Sequence, residues 1–334
     1  MLRLPRWLAP SLAALVVAAP ASAAPAGEVI VGALAGPPKP SFLARVRAGE
    51  LGGVILVGRW TPAEMRATTR QLHAAGCAIG RPLLLLVDQE GGWARRLTWA
   101  APAQTARELG RLGLARTRAE ASATATALRA TGIDVDLAPV SDTLRPGGFL
   151  GSRTFGSEPA KVGNLVAAFI RALQTGRIAA TAKHFPGLGA ARLNTDDHAV
   201  SLQVTDLDPF RRAIAAGAKL VMVSNASYPA LDNTGTPAVF SHPIVTDLLR
   251  GTFGFAGVVV TDALDAPTPA RMPHAPARAL AAGVDLLLYT SGAAAHTGYV
   301  QLAGDAKTDP QVRADLARAV AHIRALKHWL KRSC

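Results

Sequence analysis

Cysteine, charged residues and aromatic residues are all scarce in this chain of 334 residues. It has 2 Cys, while charged residues make up 18% and aromatic residues 5% of the sequence. Two cysteines are too few for a disulfide-dense scaffold or a cysteine-based zinc module. The low charge, together with 49% hydrophobic residues, excludes a disordered chain and leaves ample apolar material for a large core.

Acidic residues are scarce relative to basic ones, which leaves the chain strongly positive. Lys and Arg number 36 against 23 Asp and Glu, a formal net charge of +13. The basic residues are scattered, without a long run, and no helix-turn-helix, zinc-finger or RNA-binding signature accompanies them. We therefore expect no nucleic-acid partner. The charge predicts either a solvated surface or a loose association with an anionic cell wall.

The first 23 residues have the pattern of a secretory signal peptide. Arg3 and Arg6 form a basic start, residues 8–20 form an apolar stretch, and residues 21–23 read Ala-Ser-Ala, a small-residue cleavage site. The apolar stretch is too short to predict a spanning helix, and no later stretch reads as one. The pattern predicts cleavage of residues 1–23 and a mature protein that is secreted, periplasmic or associated with the cell wall. An uncleaved N-terminal anchor is the alternative.

The two cysteines, Cys77 and Cys334, lie far apart in the sequence. An oxidising compartment outside the cell would allow them to pair. Since Cys334 is the last residue, the sequence leaves open whether the two are bridged.

A short apolar run, a turn and an apolar-periodic helix recur from residue 28 onward. Each run is nearly all apolar, as expected of a parallel strand that is covered on both faces. The eight runs are residues 29–34, 54–57, 83–87, 133–138, 178–182, 220–224, 258–261 and 285–289. Predicted helices include residues 62–75, 105–130, 159–174, 208–216, 243–249, 278–282 and 311–331.

Eight strands, each leading to a helix, predict an α/β fold, a single (β/α)8 barrel of the TIM type over residues 24–334. The alternative is an open doubly wound sheet, which usually carries a Gly-rich phosphate-binding turn after its first strand. Residues 32–38 read Gly-Ala-Leu-Ala-Gly-Pro-Pro, which is not such a turn. No change in composition marks a second domain.

Acids, bases and arginines follow several of these apolar runs. In a (β/α)8 barrel the carboxyl ends of the strands share one rim, where the chemistry takes place. A carboxylate there can act as a nucleophile on an electrophilic carbon, and an imidazole can donate and accept a proton. A ring of hydrogen-bond donors and acceptors suits a polyhydroxylated ligand such as a sugar. The candidate residues are Asp88, Arg96, Arg153, Lys183, His184, Asp196, His198 and Asp262.

Four segments in order give these residues a specific context. They are Asp-Gln-Glu-Gly-Gly at 88–92, Lys-His-Phe-Pro-Gly at 183–187, Asp-Asp-His at 196–198 and Gly-Val-Val-Val-Thr-Asp-Ala-Leu at 257–264. Together they resemble glycoside hydrolase family 3, in particular its bacterial β-N-acetylglucosaminidase branch, from about residue 29 to residue 327. The resemblance implies a retaining, two-step hydrolysis in which Asp262 is the nucleophile, His198 the acid/base and Asp196 its partner.

The same resemblance implies that five residues bind N-acetylglucosamine in the first subsite, namely Asp88, Arg96, Arg153, Lys183 and His184. It implies no metal ion and no organic cofactor, and we expect a monomer whose partner is a carbohydrate substrate. Two assignments stay open. Asp197 could hold the His198 ring in place of Asp196, and Arg95 could replace Arg96 if the register shifts by one.

The sequence departs from the family pattern at the rim. Leu188 replaces the usual His after Lys-His-Phe-Pro-Gly, Trp93 stands where Arg is common, and the loop from residue 189 to 196 is about two residues longer than usual. We expect an exported exo-β-N-acetylglucosaminidase that acts on cell-wall fragments or related oligosaccharides. The alternatives are a sugar-binding barrel that has lost turnover, and a phosphorylase or β-glucosidase of the same family.

Overall fold

Eight parallel strands surround the centre of the molecule. The computed structural model describes residues 26–203 and 205–334, so the predicted signal peptide lies outside the described residues. The barrel strands are β1 (Ile30–Ala35), β2 (Gly53–Val57), β3 (Leu84–Val87), β6 (Val135–Asp136), β7 (Ala179–Phe185), β8 (Leu220–Val223), β9 (Val258–Thr261) and β10 (Leu287–Leu288). Each coincides with one of the eight predicted runs.

The strands pair in chain order and then close on themselves. The sheet runs β10-β1-β2-β3-β6-β7-β8-β9 with every neighbouring pair parallel. A parallel bridge between Val260 and Leu286 joins β9 to β10, and the Thr261 amide donates to the Leu286 carbonyl at 2.9 Å. The predicted (β/α)8 barrel is therefore confirmed.

Helices cover the outside of the barrel. They are α1 (Pro40–Arg47), α2 (Pro62–Cys77), α3 (Ala106–Leu112), α4 (Leu114–Ala130), α5 (Pro159–Thr175), α6 (Asp208–Ala215), α7 (Pro267–Ala270), α8 (Ala275–Ala282), α9 (Gly292–Thr308) and α10 (Pro310–Leu330). A π-helix spans Pro243–Thr252, and 3-10 turns span Ala26–Val29, Gly151–Arg153 and Ala238–Phe240. No helix among the described residues is both long and apolar enough to cross a bilayer.

Local sequence explains where several helices begin. Thr61 caps α2 and Thr105 caps α3. In both cases the side chain of a Glu three residues later accepts a hydrogen bond from the amide of the capping Thr. This reciprocal arrangement satisfies amide groups that the first helical turn would leave unpaired. Proline in the first turn of α1, α2, α5 and α10 is compatible with a helix start, because the missing amide hydrogen has no partner there anyway.

Three predicted boundaries were wrong. The helix predicted over 105–130 is two helices, because Gly113 adopts a φ of 87° between α3 and α4. The segment predicted as a helix over 243–249 is a π-helix that continues to Thr252. The strand predicted over 178–182 continues to Phe185, so Lys183 and His184 lie within β7 and not after it.

A hairpin that the sequence analysis did not identify follows β3. Its strands are β4 (Gln89–Gly91) and β5 (Ala94–Arg95), which pair antiparallel. Gly91 and Gly92 have φ angles of 107° and 57°, a backbone conformation that favours glycine. The hairpin turns the chain at the rim and places Trp93 at its tip.

The C-terminus is linked covalently to the end of α2. Cys77 and Cys334 form a disulfide across a sequence separation of 257 residues, which answers the question that the sequence left open. Close by, Arg332 forms an ion pair with the buried Asp134 and donates to the Gly132 carbonyl at 3.0 Å. Helix α10 is thus held by both covalent and polar contacts.

Candidate active site

A cavity of about 380 Å3 opens at the carboxyl ends of the barrel strands. Parallel strands bring these ends to one face, so residues from distant parts of the chain meet there. Seven of the eight predicted site residues line the cavity, namely Asp88, Arg96, Arg153, Lys183, His184, Asp196 and Asp262. The eighth, His198, does not line it.

A network of ion pairs joins β3, the β4–β5 hairpin, β7 and the turn after β6. The Lys183 Nζ lies 2.8 Å from Oδ1 of Asp88 and 2.7 Å from Oε1 of Glu90. The guanidinium of Arg153 donates to both oxygens of Glu90, each at 2.8 Å. Because Lys183 and Glu90 are buried, this network fixes the positions of groups that the sequence assigns to sugar binding.

The network keeps its members charged. Burial by itself would raise the pKa of Glu90, but the charges of Arg153 and Lys183 outweigh it and hold this pKa far below its usual range. Burial likewise favours a lower pKa for Lys183, yet Asp88 and Glu90 raise it above the usual value. Lys183 and Glu90 therefore remain ionised together.

The structure places the two neighbouring arginines differently. Its guanidinium lines the cavity and lies 3.7 Å from Asp88. Arg95 belongs to β5, and its guanidinium lies 3.5 Å from the Ala100 carbonyl, away from the cavity lining. Of the two arginines, Arg96 is therefore the one that reaches the cavity.

His184 is oriented by a residue that the predicted site did not include. The Nδ1 of its ring lies 2.7 Å from Oδ2 of the buried Asp142, which also accepts from the His184 amide at 3.1 Å. Because Nδ1 is engaged by Asp142, the other ring nitrogen, Nε2, is left available to a ligand. Asp142 follows the fourth apolar run, and that position was the signal that could have identified it.

Glu90 is a second site residue that the sequence did not predict, although it lies inside the Asp-Gln-Glu-Gly-Gly segment at 88–92. The hydrogen bonds of the neighbouring Gln89 side chain differ, because within the described residues they are formed with main-chain groups. The Gln89 Nε2 donates to the carbonyls of Leu97 and Ala101, and its Oε1 accepts from the amides of Arg96 and Leu97. Gln89 thus fixes the segment that presents Arg96, while Glu90 fixes the cations.

Asp262 lies at the end of β9 on the cavity wall. Its amide donates to the Val223 carbonyl at 3.0 Å, and its Oδ1 accepts from the Ala263 amide at 2.9 Å. Asn225 lies beneath this turn and donates to the Ala263 carbonyl at 2.8 Å. The nearby Asp265 is engaged elsewhere, because it accepts from the amides of Thr290 and Ser291.

The loop after β7 places its two aspartates differently. Asp196 lines the cavity, whereas Asp197 does not, although both carboxylates accept from Nδ2 of Asn194, at 3.2 and 3.4 Å. Desolvation at the cavity wall and the negative charge of Asp262 raise the pKa of Asp196. Asp196 is therefore the member of the pair that lines the cavity and whose pKa is raised by the charge of Asp262.

His198 is exposed on the same loop. Its amide donates to the Asn194 carbonyl at 3.0 Å, and its ring forms no hydrogen bond or ion pair with residues 26–203 or 205–334. Neither Asp196 nor Asp197 forms a hydrogen bond or ion pair with the ring in this structure. The predicted Asp196–His198 pair shares a loop here but is not hydrogen-bonded.

Two of the departures from the family pattern, Leu188 and Trp93, lie at the cavity. Leu188 is buried and lines it, and its amide donates to Asp142. Trp93 lines the cavity with 71% of its surface exposed, and the Arg153 guanidinium lies 5.9 Å from its ring centroid. Both side chains therefore form part of the cavity surface, beside the ion-pair network.

Asp136 is a buried carboxyl below this network. Its Oδ1 accepts from the Gln89 amide at 3.0 Å, while its buried Oδ2 has no partner among the described residues. Burial raises the pKa of Asp136 to about 8. This carboxyl is therefore mostly protonated at neutral pH and adds little negative charge beside Asp88 and Glu90.

The fold and the cavity define a class of protein. A (β/α)8 barrel whose rim combines paired cations and carboxylates is suited to an enzyme that binds a hydroxylated substrate. Within residues 26–203 and 205–334, no group of three or more His, Cys, Asp and Glu side chains is arranged to hold a metal ion.

The chain belongs to glycoside hydrolase family 3. Residues 36–326 match the model of the glycosyl hydrolase family 3 N-terminal domain, as the resemblance seen in the sequence predicts. A β-hexosaminidase of Xanthomonas oryzae is 38% identical over 213 residues, which cover 59% of this chain and 63% of that protein. The alignment thus spans slightly less than two thirds of that relative.

Solved structures show the same fold over most of the chain. A β-N-acetylhexosaminidase from Beutenbergia cavernae is 33% identical with a TM-score of 0.84, covering 92% of this chain and 98% of that one. A family 3 β-N-acetylglucosaminidase from Paenibacillus is 27% identical with a TM-score of 0.86, covering 95% of this chain and 64% of that one.

Proposed function

We propose that the protein is an exported, retaining exo-β-N-acetylglucosaminidase that removes terminal β-linked N-acetylglucosamine from cell-wall fragments or related oligosaccharides. The convergence of Asp262 with the ion-pair network on one cavity carries the proposal. A carboxylate that can attack a carbon lies beside fixed donors and acceptors for hydroxyl groups. The names of the relatives support an N-acetylhexosaminide as the substrate.

The first step forms a covalent glycosyl-enzyme. A carboxylate oxygen of Asp262 bonds to C1 of the sugar while the bond from C1 to the glycosidic oxygen breaks, and His198 donates a proton to that oxygen. In the second step water attacks C1, gives its proton to His198 and releases the Asp262 carboxylate. Two displacements at C1 retain its configuration.

This mechanism requires the His198 ring to enter the cavity when a substrate is bound, because the ring lies outside it in this structure. Asp196 lies at the cavity wall two residues earlier and is placed to meet the incoming ring. A carboxylate beside an imidazole orients it and stabilises its cation. The raised pKa of Asp196 also makes it the rival acid, so the test must separate the two residues.

The nucleophile is tested with Asp262→Ala and a fluorinated, slowly hydrolysed N-acetylglucosaminide. We expect the variant to lose nearly all turnover with an unchanged circular dichroism spectrum, and mass spectrometry of the wild type to find the label on Asp262. A label on Asp88 or Asp265 would overturn the assignment.

The acid/base is tested by comparing leaving groups. A dinitrophenolate leaves without a proton, whereas an alcohol requires one, so His198→Ala should reduce kcat/KM far more for a methyl glycoside than for a dinitrophenyl glycoside. Asp196→Asn should slow both steps, and Asp197→Asn is the matched control because Asp197 lies outside the cavity lining. If Asp196→Asn reduced kcat/KM selectively for the methyl glycoside while His198→Ala reduced it equally for both substrates, Asp196 would be the acid.

The substrate class is tested by the ratio of kcat/KM for an N-acetylglucosaminide over the corresponding glucoside. A cavity that pairs a buried polar group with the acetamide discriminates by up to about 10⁴, and one that only accommodates it by about 10–100-fold. A ratio near one would refute the N-acetylglucosaminidase assignment and leave the family assignment intact. Product analysis in phosphate buffer separates hydrolysis from phosphorolysis.

Export is supported by two observations. The N-terminal pattern of residues 1–23 is that of a signal peptide, and the Cys77–Cys334 disulfide suits an oxidising compartment. Cleavage after Ala23 would lower the formal net charge of +13 by two, so the mature protein would remain basic enough to be attracted to an anionic wall. N-terminal sequencing of the protein from cell fractions would test both the cleavage site and the compartment.

A further inference from the structure

Trp93 is the most exposed large hydrophobic side chain among the described residues, with 71% of its surface accessible. It lies at the rim of the cavity, at the tip of the β4–β5 hairpin. The ion-pair network of Lys183 and Glu90 lies deeper, since both of these side chains are buried. A large aromatic ring at the mouth of a polar cavity offers an apolar face to any part of a ligand that extends beyond the cavity.

The hairpin that carries Trp93 is held firmly. A Cβ at Gly91 would lie 2.2 Å from the Gln104 carbonyl oxygen, and one at Gly92 would lie 2.5 Å from Cγ2 of Thr105. The hairpin therefore packs so closely against residues 104–105 that only glycine fits at these positions. Its indole ring is consequently presented from a fixed backbone.

The Trp93 ring also has a charged neighbour, Arg153. The Arg153 guanidinium lies 5.9 Å from the Trp93 ring centroid, within the range of a cation–π interaction. The same guanidinium is held by two hydrogen bonds to Glu90, both at 2.8 Å. Trp93 is thus coupled to the network proposed to bind the first sugar, while most of its own surface remains free.

We propose that Trp93 is a specificity-determining residue that forms the aglycone subsite by stacking against the apolar face of the ring on the reducing side of the scissile bond. The inference rests on the proposed function, because an exo-acting enzyme places one sugar in the cavity and the next at its rim. An indole offers a broad apolar surface at low entropic cost. The subsite therefore selects a ring-shaped aglycone over a small alcohol.

The experiment compares two substrates with the same first sugar. These are N,N′-diacetylchitobiose, which has a pyranose aglycone, and methyl β-N-acetylglucosaminide, which has none. Trp93→Ala should lower the ratio of kcat/KM for the disaccharide over the methyl glycoside by about 3- to 10-fold, the range for an aromatic contact. Trp93→Phe keeps an aromatic face and should restore most of the ratio.

Trp99→Ala is the matched control. Trp99 is also exposed, at 42%, but its Nε1 donates to the Trp60 carbonyl at 3.0 Å and its side chain lies outside the cavity lining. Its loss should leave the ratio within twofold of wild type. A Trp93→Ala ratio that is also within twofold overturns the inference alone, whereas a wild type that cleaves neither substrate overturns the proposed function and the inference together.

Discussion

Replacing Glu90 by Gln tests whether its carboxylate holds the candidate site together. Glu90 accepts two hydrogen bonds from Arg153 at 2.8 Å and lies 2.7 Å from the Lys183 Nζ. The variant has nearly the same shape, but its amide nitrogen presents hydrogens where a cation needs an acceptor. Both cations then lose a counter-charge in a buried setting.

The expected loss of stability depends on the counter-charge that each cation retains. Removing one partner of a buried ion pair typically destabilises a protein by about 3–5 kcal/mol. Lys183 keeps Asp88 at 2.8 Å, which places the expected loss at the lower end, near 3 kcal/mol. For domains of 150–250 residues this corresponds to a Tm about 6–12 °C lower, and a chain of this length should fall near the lower figure.

Asp208→Asn supplies the matched control. Asp208 and Arg212 also form a 2.8 Å ion pair, but their side chains are 43% and 41% exposed. Such a pair contributes at most about 1 kcal/mol, since water and salt screen it. Calorimetry of the three proteins should therefore separate the buried pair from the exposed one. Equal shifts in Tm for both variants would refute the reasoning.

The pH dependence gives a second check on Glu90. Arg153 and Lys183 lower its pKa in the folded protein, despite burial, so the unfolded chain binds the proton more tightly. The contribution of Glu90 to stability is therefore complete above its ordinary pKa of 4.5 and is lost as the pH falls below that value. The difference between wild type and Glu90→Gln in urea unfolding should shrink from pH 7 to pH 3.5. A constant difference would contradict the electrostatic origin.

Two further predictions concern stability. The double variant Cys77→Ser/Cys334→Ser should lower the unfolding free energy by up to roughly 5 kcal/mol, because the disulfide closes a loop of 257 residues; reduction of the wild type should lower its Tm equally, and an unchanged Tm would show that the bond contributes nothing. Asp136→Asn keeps the acceptor for the Gln89 amide and should be stabilising at neutral pH. Since burial raises the pKa of Asp136 to about 8, the wild type loses up to about 1.4 kcal/mol of stability per pH unit between pH 4 and pH 8. The gain in the variant, measured by urea unfolding, should grow over this interval, and a gain that does not depend on pH would be evidence against it.

The fold was largely predictable because its signals are local. Each of the eight barrel strands is a short apolar run, and each run can be recognised without knowing its neighbours. Strand direction then follows from the alternation of strands with helices, and direction places Asp88, Lys183 and Asp262 on one rim. The predicted helix and strand boundaries that were wrong depend on the backbone conformation of single residues. An example is Gly113, whose positive φ separates α3 from α4.

The contacts within the site were less predictable because they join separate strands. Glu90 and Asp142 lie in or next to recognised segments, yet their partners, Arg153 and His184, belong to other parts of the chain. Which carboxylate meets which cation depends on side-chain distances across the barrel, and one sequence does not contain them. Asn225 is a further example of a contact that the sequence does not predict. It follows a strand, yet its side chain donates to the Ala263 carbonyl and does not line the cavity.

The residues proposed to recognise the substrate and the residue proposed to attack it come from separate parts of the chain. The β3 end and the β4–β5 hairpin supply Asp88, Glu90 and Trp93, whereas the carboxylate proposed to attack the sugar comes from β9. Glu90 joins Lys183 and Arg153, and Arg153 lies in turn against the Trp93 ring. A substitution at position 93 can therefore alter which aglycone is accepted while Asp262 keeps its backbone hydrogen bonds to Val223 and Ala263. The indole lies against Arg153, and the ion pairs of Arg153 and Lys183 with Glu90 do not involve Trp93. A substitution at position 93 therefore leaves these ion pairs their partners.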